Sequence, residues 1–378
     1  MEKMRIGINL LSISTGGAEI YVINLIKNLA LIDKENQYEV FISKKKRGQF
    51  EVEQHNFKFI EFSSKLSIPY YRIIWEQFFL PVILKKDKID VLFSSGNIDI
   101  LFAHCKTVIA IQTIQPFAVP EMFPSNMRLY YLRAMIRLSS KIAHKIITVS
   151  KTTKSELIKY LDIPSAKIVP IYHGVDTHPN LSSKSETKKE FGIKKDYILS
   201  ISSVYKFKNY VNLIRGFKIL RELYNQDCQL VIVGKFIEAD YHLQILRVID
   251  ELRLNDEVIL VGGIPHHETY PLYSGANLYV FPSYCETFGM TQIEAMACGI
   301  PVVTSNISVM PEICADAAIY FDPSNPNDIA EKMNQVLASE NLRNKLVNNG
   351  LKRARYFSWE KSAIEHLSVF EEVYRTGR

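Results

Sequence analysis

Short apolar runs alternate with segments of helical period along nearly the whole chain. "RIGINLLS" reads as a strand, and Gly16-Gly17 then turns the chain into "AEIYVINLIKNLALI", where apolar residues recur every three or four positions. "YEVFIS", "VLFSSG", "TVIAIQT", "KIITVS" and "KIVPIYHG" follow as strands with helices between them. Runs that are apolar on both faces and joined by helices predict a parallel sheet covered on both sides. At 177–190, "THPNLSSKSETKKE" is polar and aperiodic and reads as a linker. Beyond it the alternation restarts with "YILSISS", "QLVIVGK", "EVILVGG", "LYVFPS", "PVVTS" and "AIYF". The expected architecture is therefore α/β, with two doubly wound, Rossmann-like domains at 1–176 and 191–357. A terminal helix at 358–378, spaced by Trp359, Ala363, Leu367 and Phe370, is expected to pack back on the first. Such units bind ligands at the carboxyl ends of their strands, and a facing pair implies a cleft.

Length and composition narrow the class. With 378 residues and 47% apolar content, the chain can bury a large core. The net charge of +6 is uneven: residues 1–178 hold 24 Lys and Arg against 16 Asp and Glu, whereas 179–378 hold 22 against 24. A basic first half favours an anionic surface. Five cysteines without a CxxC indicate neither a disulfide frame nor a zinc site, and read as reduced thiols of a cytoplasmic protein. "MEKMRIGINLLSIS" imitates a signal peptide, but Gly16-Gly17 stands where a cleavage site would be. No apolar stretch reaches roughly 20 residues, so no membrane-spanning helix is expected. There is no Asp-x-Asp and no metal-ligand spacing, so no metal or other cofactor is expected. An oxidoreductase is disfavoured because no GxGxxG follows an opening strand. Nucleic acid is not an expected partner.

The chemistry concentrates in "CETFGMTQIEAMACGIPVV". A helix over "MTQIEAMA" should start near Gly289 and close at Gly299, with Pro301 two beyond. Bare N–H groups of Gly289, Met290 and Thr291 would then suit a phosphate. Glu286 precedes that terminus and Glu294 lies more than a turn inside. Glycosidases place paired carboxylates on opposite sides of the scissile bond. Two glutamates on one loop-helix unit instead suit a nucleotide diphosphate ligand, one acid on a sugar and the other on the ribose. In "SISSVYKFKN", Lys206 and Lys208 follow a strand end and supply point cations for a diphosphate.

"PSYCETFGMTQIEAMACGIPVVTSNISVMPEI" resembles the donor-site signature of glycosyltransferase family four, retaining enzymes of GT-B fold with an E-x7-E motif. The resemblance runs through "DPSNPNDIA" to "FSWEKSA", and reaches back to "GGAEIYVINL", "IITVSKTTKSEL" and "HGVD". It implies a metal-independent, retaining hexosyltransferase moving sugar from a UDP- or GDP-sugar to a glycan or lipid-linked acceptor, in surface polysaccharide or glycolipid synthesis. Carried over, Glu286 contacts the sugar, Glu294 binds the ribose, and Phe288, Gly289, Met290 and Thr291 receive sugar and diphosphate. Lys208 falls on the family's lysine. Ser202-Ser203 replaces a common Gly-Arg, so Lys206 is the candidate substitute cation beside Ser203. Gly16 and Gly17 are expected beside the phosphates, and Gly234-Lys235 and Gly263-Ile264 beside the base. Many relatives carry His-Asp where this chain has Gln112-Thr113. Gln112 can bond a sugar hydroxyl but cannot take a proton as imidazole does. His104, His144 and His173 read as packing or turn residues. A nucleotide-sugar epimerase of similar fold and a catalytically weak partner subunit are the rival readings.

For the acceptor side, "KKKRGQF", "IIWEQFFLPVILKKDK" and "NMRLYYLRAMIRLSSKIAHK" mix cations with large apolar residues, Arg133 and Arg137 one helical turn apart. They point to an anionic membrane surface, with the protein peripheral at the inner face, or else to a core-packing helix with a solvated basic side.

Overall fold

The computed structural model describes residues 3–13, 16–123, 125–176 and 184–376. The chain forms two compact units, Met1–Gly174 with Ser358–Arg378, and Val175–Phe357. In the first unit the strands are β1 (Arg5–Asn9), β2 (Gln37–Ser43), β3 (Phe57–Phe62), β4 (Val91–Ser94), β5 (Lys106–Ile111), β6 (Lys145–Thr148) and β7 (Ile168–Pro170). All are parallel, in the order β3-β2-β1-β4-β5-β6-β7. In the second they are β8 (Tyr197–Ile201), β9 (Gln229–Val233), β10 (Val258–Gly262), β11 (Leu278–Phe281), β12 (Val302–Ser305) and β13 (Ala318–Phe321), parallel in the order β10-β9-β8-β11-β12-β13. The strand order reverses between β1 and β4 in one unit and between β8 and β11 in the other. Those reversals are where such sheets open a crevice for ligands.

The central strands are apolar on both faces, whereas the edge strand β3 exposes Lys58 and Glu61. Every residue of β4, β8, β9 and β11 is buried. Serine and asparagine caps mark several helix starts: the Ser150 side chain accepts from Thr153 N, Asn325 from Asn327 N and Asp328 N, and Ser358 from Lys361 N. In the second unit, Tyr210, Leu213, Phe217, Ile329 and Met333 belong to one core cluster over the sheet.

The C-terminal helix Trp359–Arg375 packs on helix Gly17–Ile32 within the first unit. Its His366 accepts from the Tyr21 hydroxyl at Nε2, 2.6 Å away, while Nδ1–H donates to Ser362 O at 2.7 Å. The His173 ring lies tilted, 4.5 Å from that of Tyr21 and 5.8 Å from that of Trp359, as a packing residue of this cluster.

One expectation needs correction. Of the linker anticipated at 177–190, residues 177–183 lie outside the described residues, and Lys184–Glu190 is a helix of the second unit. Thr187 is buried, Lys188 pairs with Asp196 at 2.9 Å, and Ile193 N donates to Lys188 O at 2.7 Å as the helix ends. Seven residues with a single buried position, Thr187, are too few to show a helical period in the sequence.

Candidate functional site

The site grows from the two strands that meet where the second sheet reverses. After β8 the chain makes a short turn at Lys206–Lys208, and Asn209, in the left-handed conformation, starts helix Tyr210–Leu223. After β11 it runs through Pro282–Gly289 into helix Met290–Ala297. Asn209 Nδ2 donates to Pro282 O at 3.1 Å and to Pro323 O at 2.7 Å, while Tyr284 N donates to Phe207 O at 2.8 Å. These bonds hold the two loops together. Their product is an ion pair between Lys208 Nζ and Glu286 Oε1, with both side chains largely buried.

The pair is tightly framed. Lys208 Nζ lies 5.4 Å from the Phe207 ring centre and 5.3 Å from that of Phe281. Glu286 N donates to Ser308 Oγ at 3.2 Å, and Ser308 Oγ donates to Glu286 O at 2.8 Å, so both backbone groups of the glutamate are fixed. With little water nearby, the Lys208 charge acts on an adjacent anion more strongly than a surface lysine would.

Gly289 caps the following helix at φ 77°, ψ 53° without a side-chain acceptor. A Cβ there would come within 2.2 Å of Gln292 Nε2, and Gln292 is fixed because its Oε1 accepts from Thr304 Oγ1 at 2.6 Å. Glycine is required on both counts. The first-turn N–H groups are therefore left without a cap, a ready anion site. The Tyr279 hydroxyl lies 2.7 Å from Thr291 Oγ1 and donates to Ile201 O at 3.1 Å, which anchors the helix start to the end of β8.

Deeper in the same helix, Glu294 is buried, with Oε1 2.7 Å from His266 Nε2 and Oε2 accepting from the Tyr273 hydroxyl at 2.9 Å. Burial pulls the His266 pKa down, but the hydrogen bond and charge of Glu294, aided by Asp176, outweigh it and the net shift is upward. A raised histidine pKa stabilises the fold fully below the unfolded value near 6.5, and the contribution disappears as pH rises through the folded value. His266→Asn is accordingly expected to lower the melting temperature by on the order of 2–4 °C at pH 6, and by less at pH 9. An equal loss at both pH values, in a thermal melt, would contradict the charged pair.

The other anticipated residues are distributed unevenly. Ser203 and Lys206 follow β8 but are exposed; Lys206 N donates to Glu238 Oε2 at 3.1 Å, and it is Lys208 that pairs with Glu286. Phe288 is buried edge-on to Phe357 at 5.7 Å, so its side chain serves packing. Gly263 and Ile264 follow β10, three and two residues before His266, with Gly263 beside Lys235. Gln112, Gly16 and Gly17 belong to the first unit. Gln112 Nε2 donates to Ser95 O at 2.6 Å, and Gly16 caps the first helix at φ 97°. His104 is exposed, and His144 Nδ1 accepts from Thr107 N at 3.2 Å. Among the described residues no cluster of three or more His, Cys, Asp or Glu is placed to hold a metal ion. Sequence reasoning missed Asn209, His266, Tyr273 and Ser308. Only Asn209, next to Lys208 at a helix start, carried a local signal.

The first unit matches the family model described as Glycosyltransferase Family 4 over residues 15–178, and the second matches Glycosyl transferases group 1 over 183–353. The chain belongs to the glycosyltransferases of GT-B fold. It is 31% identical over 215 residues to the O-antigen chain mannosyltransferase RfbU of Salmonella typhimurium, covering 57% of this chain and 56% of that protein. It is 26% identical over 291 residues to O-antigen chain mannosyltransferase B of Escherichia coli, covering 76% and 75%. The chain thus matches little more than half the length of the first relative. Among solved structures, Anabaena HepE in complex with UDP and glucose superposes with a TM-score of 0.76 at 17% identity, over 98% of this glycosyltransferase and 100% of that chain. This likeness concerns the fold.

Proposed function

We propose that this glycosyltransferase moves a hexosyl group, mannosyl first among candidates, from a nucleotide diphosphate sugar to a hydroxyl of a growing surface polysaccharide. The mannosyltransferase relatives support the sugar and the acceptor class. The observation that carries the donor is the Lys208–Glu286 ion pair at the sheet reversal, on the loop leading into the uncapped helix at Gly289. Lys208 and the helix N-terminus receive the diphosphate, Glu286 the sugar hydroxyls, and Glu294 the ribose hydroxyls. As the bond from C1 to the phosphate oxygen breaks, the acceptor oxygen bonds to C1 on the same face and its proton passes to the departing phosphate. Configuration is thereby retained. Lysine and the helix terminus supply the positive charge that stabilises the anionic leaving group, so no divalent metal is needed.

The test is a panel of UDP-, GDP- and ADP-sugars with a soluble oligosaccharide acceptor, in EDTA. Transfer with retained anomeric configuration is expected. Glu294→Ala should weaken binding of the bare nucleotide diphosphate by about tenfold or more, as for a lost charge-assisted hydrogen bond. Unchanged calorimetric affinity for that variant would remove the ribose assignment. Turnover of donor with no acceptor present would mark epimerisation, and transfer lost in EDTA but restored by Mg²⁺ or Mn²⁺ would refute metal independence.

A further inference from the structure

In the first unit, helix Pro69–Phe78 is built inside out. The residues it buries are polar: Glu76, which accepts from Asn9 Nδ2 at 3.0 Å, and Gln77, whose amide spans Asp99 O at 3.0 Å and Leu101 N at 2.9 Å. Its outer positions are apolar or aromatic. Tyr70, Tyr71, Ile74 and Phe78, with Val82 one turn beyond and Phe102 stacked 6.2 Å from Phe78, are each between 48% and 65% exposed. A helix whose polar residues satisfy an interior network while its large apolar residues face outward has the pattern of a surface that meets an apolar phase.

The charge around this face selects the phase. Residues 63–88 hold five cations, Lys65, Arg72, Lys85, Lys86 and Lys88, against two acids, Glu76 and Asp87. Glu76 is buried, 3.5 Å from Arg72. Lys65, Lys85, Lys86 and Lys88 are exposed. No helix among the described residues is long and apolar enough to cross a membrane. An aromatic stripe with a cationic margin lies in the plane of a bilayer, its rings at headgroup level and its lysines on anionic lipid.

We propose that the face of Tyr70, Ile74, Phe78, Val82 and Phe102 inserts into the interfacial layer of an anionic bilayer, with Lys85 and Lys86 on its headgroups. The location falls within one of the three stretches anticipated for a membrane surface, residues 73–88 with the turn of helix before it, and not on the basic helix of Arg133 and Arg137. Arg133 Nε donates to Pro116 O at 2.6 Å, and both guanidinium groups lie over the Phe117 ring, at 5.8 and 5.1 Å. Those arginines brace the protein; the outward helix at 69–78 carries the contact. The proposal goes beyond sugar transfer and is tested without donor or acceptor, so either can fail alone.

The experiment is sedimentation of the full chain with vesicles of phosphatidylcholine alone or with about 30% phosphatidylglycerol, the anionic lipid that attracts cations. Binding is expected only to the anionic vesicles, weakening as salt is raised. Phe78→Ser with Val82→Ser should cut partitioning by at least about tenfold, and Lys85→Gln with Lys86→Gln should remove the preference for anionic lipid. Thermal melts should be unchanged in both variants. Failure of the parent chain to bind anionic vesicles, or serine variants that bind as the parent does, overturns the proposal. So does light scattering that finds a dimer which the serine variants dissolve, since a second copy would then cover this face.

Discussion

Lys208→Met is expected to lower the rate of sugar transfer at saturating donor by about 10²–10³-fold, the usual effect of removing one preorganised stabiliser of developing charge. Its ammonium lies 5.4 Å from the Phe207 ring centre and 5.3 Å from that of Phe281, on a largely buried side chain. In the free protein its counter-charge is Glu286. With donor bound, the leaving diphosphate gains charge as the bond to C1 breaks, and Lys208 stabilises that charge more than the ground state. The loss should therefore fall mainly on kcat and less on donor KM. Methionine also leaves the buried Glu286 carboxylate unpaired, which costs stability of its own. Lys208→Met with Glu286→Gln isolates the stability cost, since glutamine leaves no buried charge unpaired: the double variant should recover thermal stability. A double variant that regains transfer, or a single variant within threefold of the parent at saturating donor, would remove Lys208 from the reaction.

The second large effect concerns acid. Burial holds the His366 imidazole down to about 4, against the opposing pull of its bond to Ser362, and burial together with the His366 charge holds His173 down to about 3. The unfolded chain binds protons at these positions below about 6.5 and the folded chain does not. Stability is thus lost as pH falls from there toward the folded values, by roughly 1.4 kcal/mol per pH unit for each histidine. Asp99, whose carboxyl burial lifts to about 6, works in the opposite sense over part of that range. The comparison of interest is therefore between variants. His366→Gln keeps an acceptor for Tyr21 but cannot charge, so its unfolding free energy should fall less steeply with acid, by about 1.4 kcal/mol per pH unit. Both tryptophans, Trp75 and Trp359, lie in the first unit, so denaturant titrations followed by tryptophan emission read this unit alone. Parallel pH profiles for parent and variant would show that His366 is not the titrating group.

The double sheet was legible because strands buried on both faces are continuous apolar runs, as in "QLVIV" and "LYVF", and helix Met290–Ala297 because Gly289 and Gly299 bracket it. The partners of its charges were not. His266 meets Glu294 across 28 positions and Lys208 meets Glu286 across 78, and no local period encodes such distances. Helix Pro69–Phe78 defeated the pattern differently. Its apolar residues were visible, but which side of the helix they cover depends on Asn9, Asp99 and Leu101, whose polar groups claim Glu76 and Gln77 for the interior. Gly263 and Ile264 were anticipated for a base, and the chain leads from them directly to His266, which holds Glu294.

The first unit is assembled from both ends of the chain, and that has a consequence for synthesis. Helix Trp359–Arg375 supplies Trp359, His366 and Phe370 to a core begun by Tyr21 and Phe93. Residues 175–357 are all translated before that helix emerges from the ribosome. The unit encoded first is thus the last to receive its full complement of residues, and its open core must wait, exposed, while its neighbour has everything required to close.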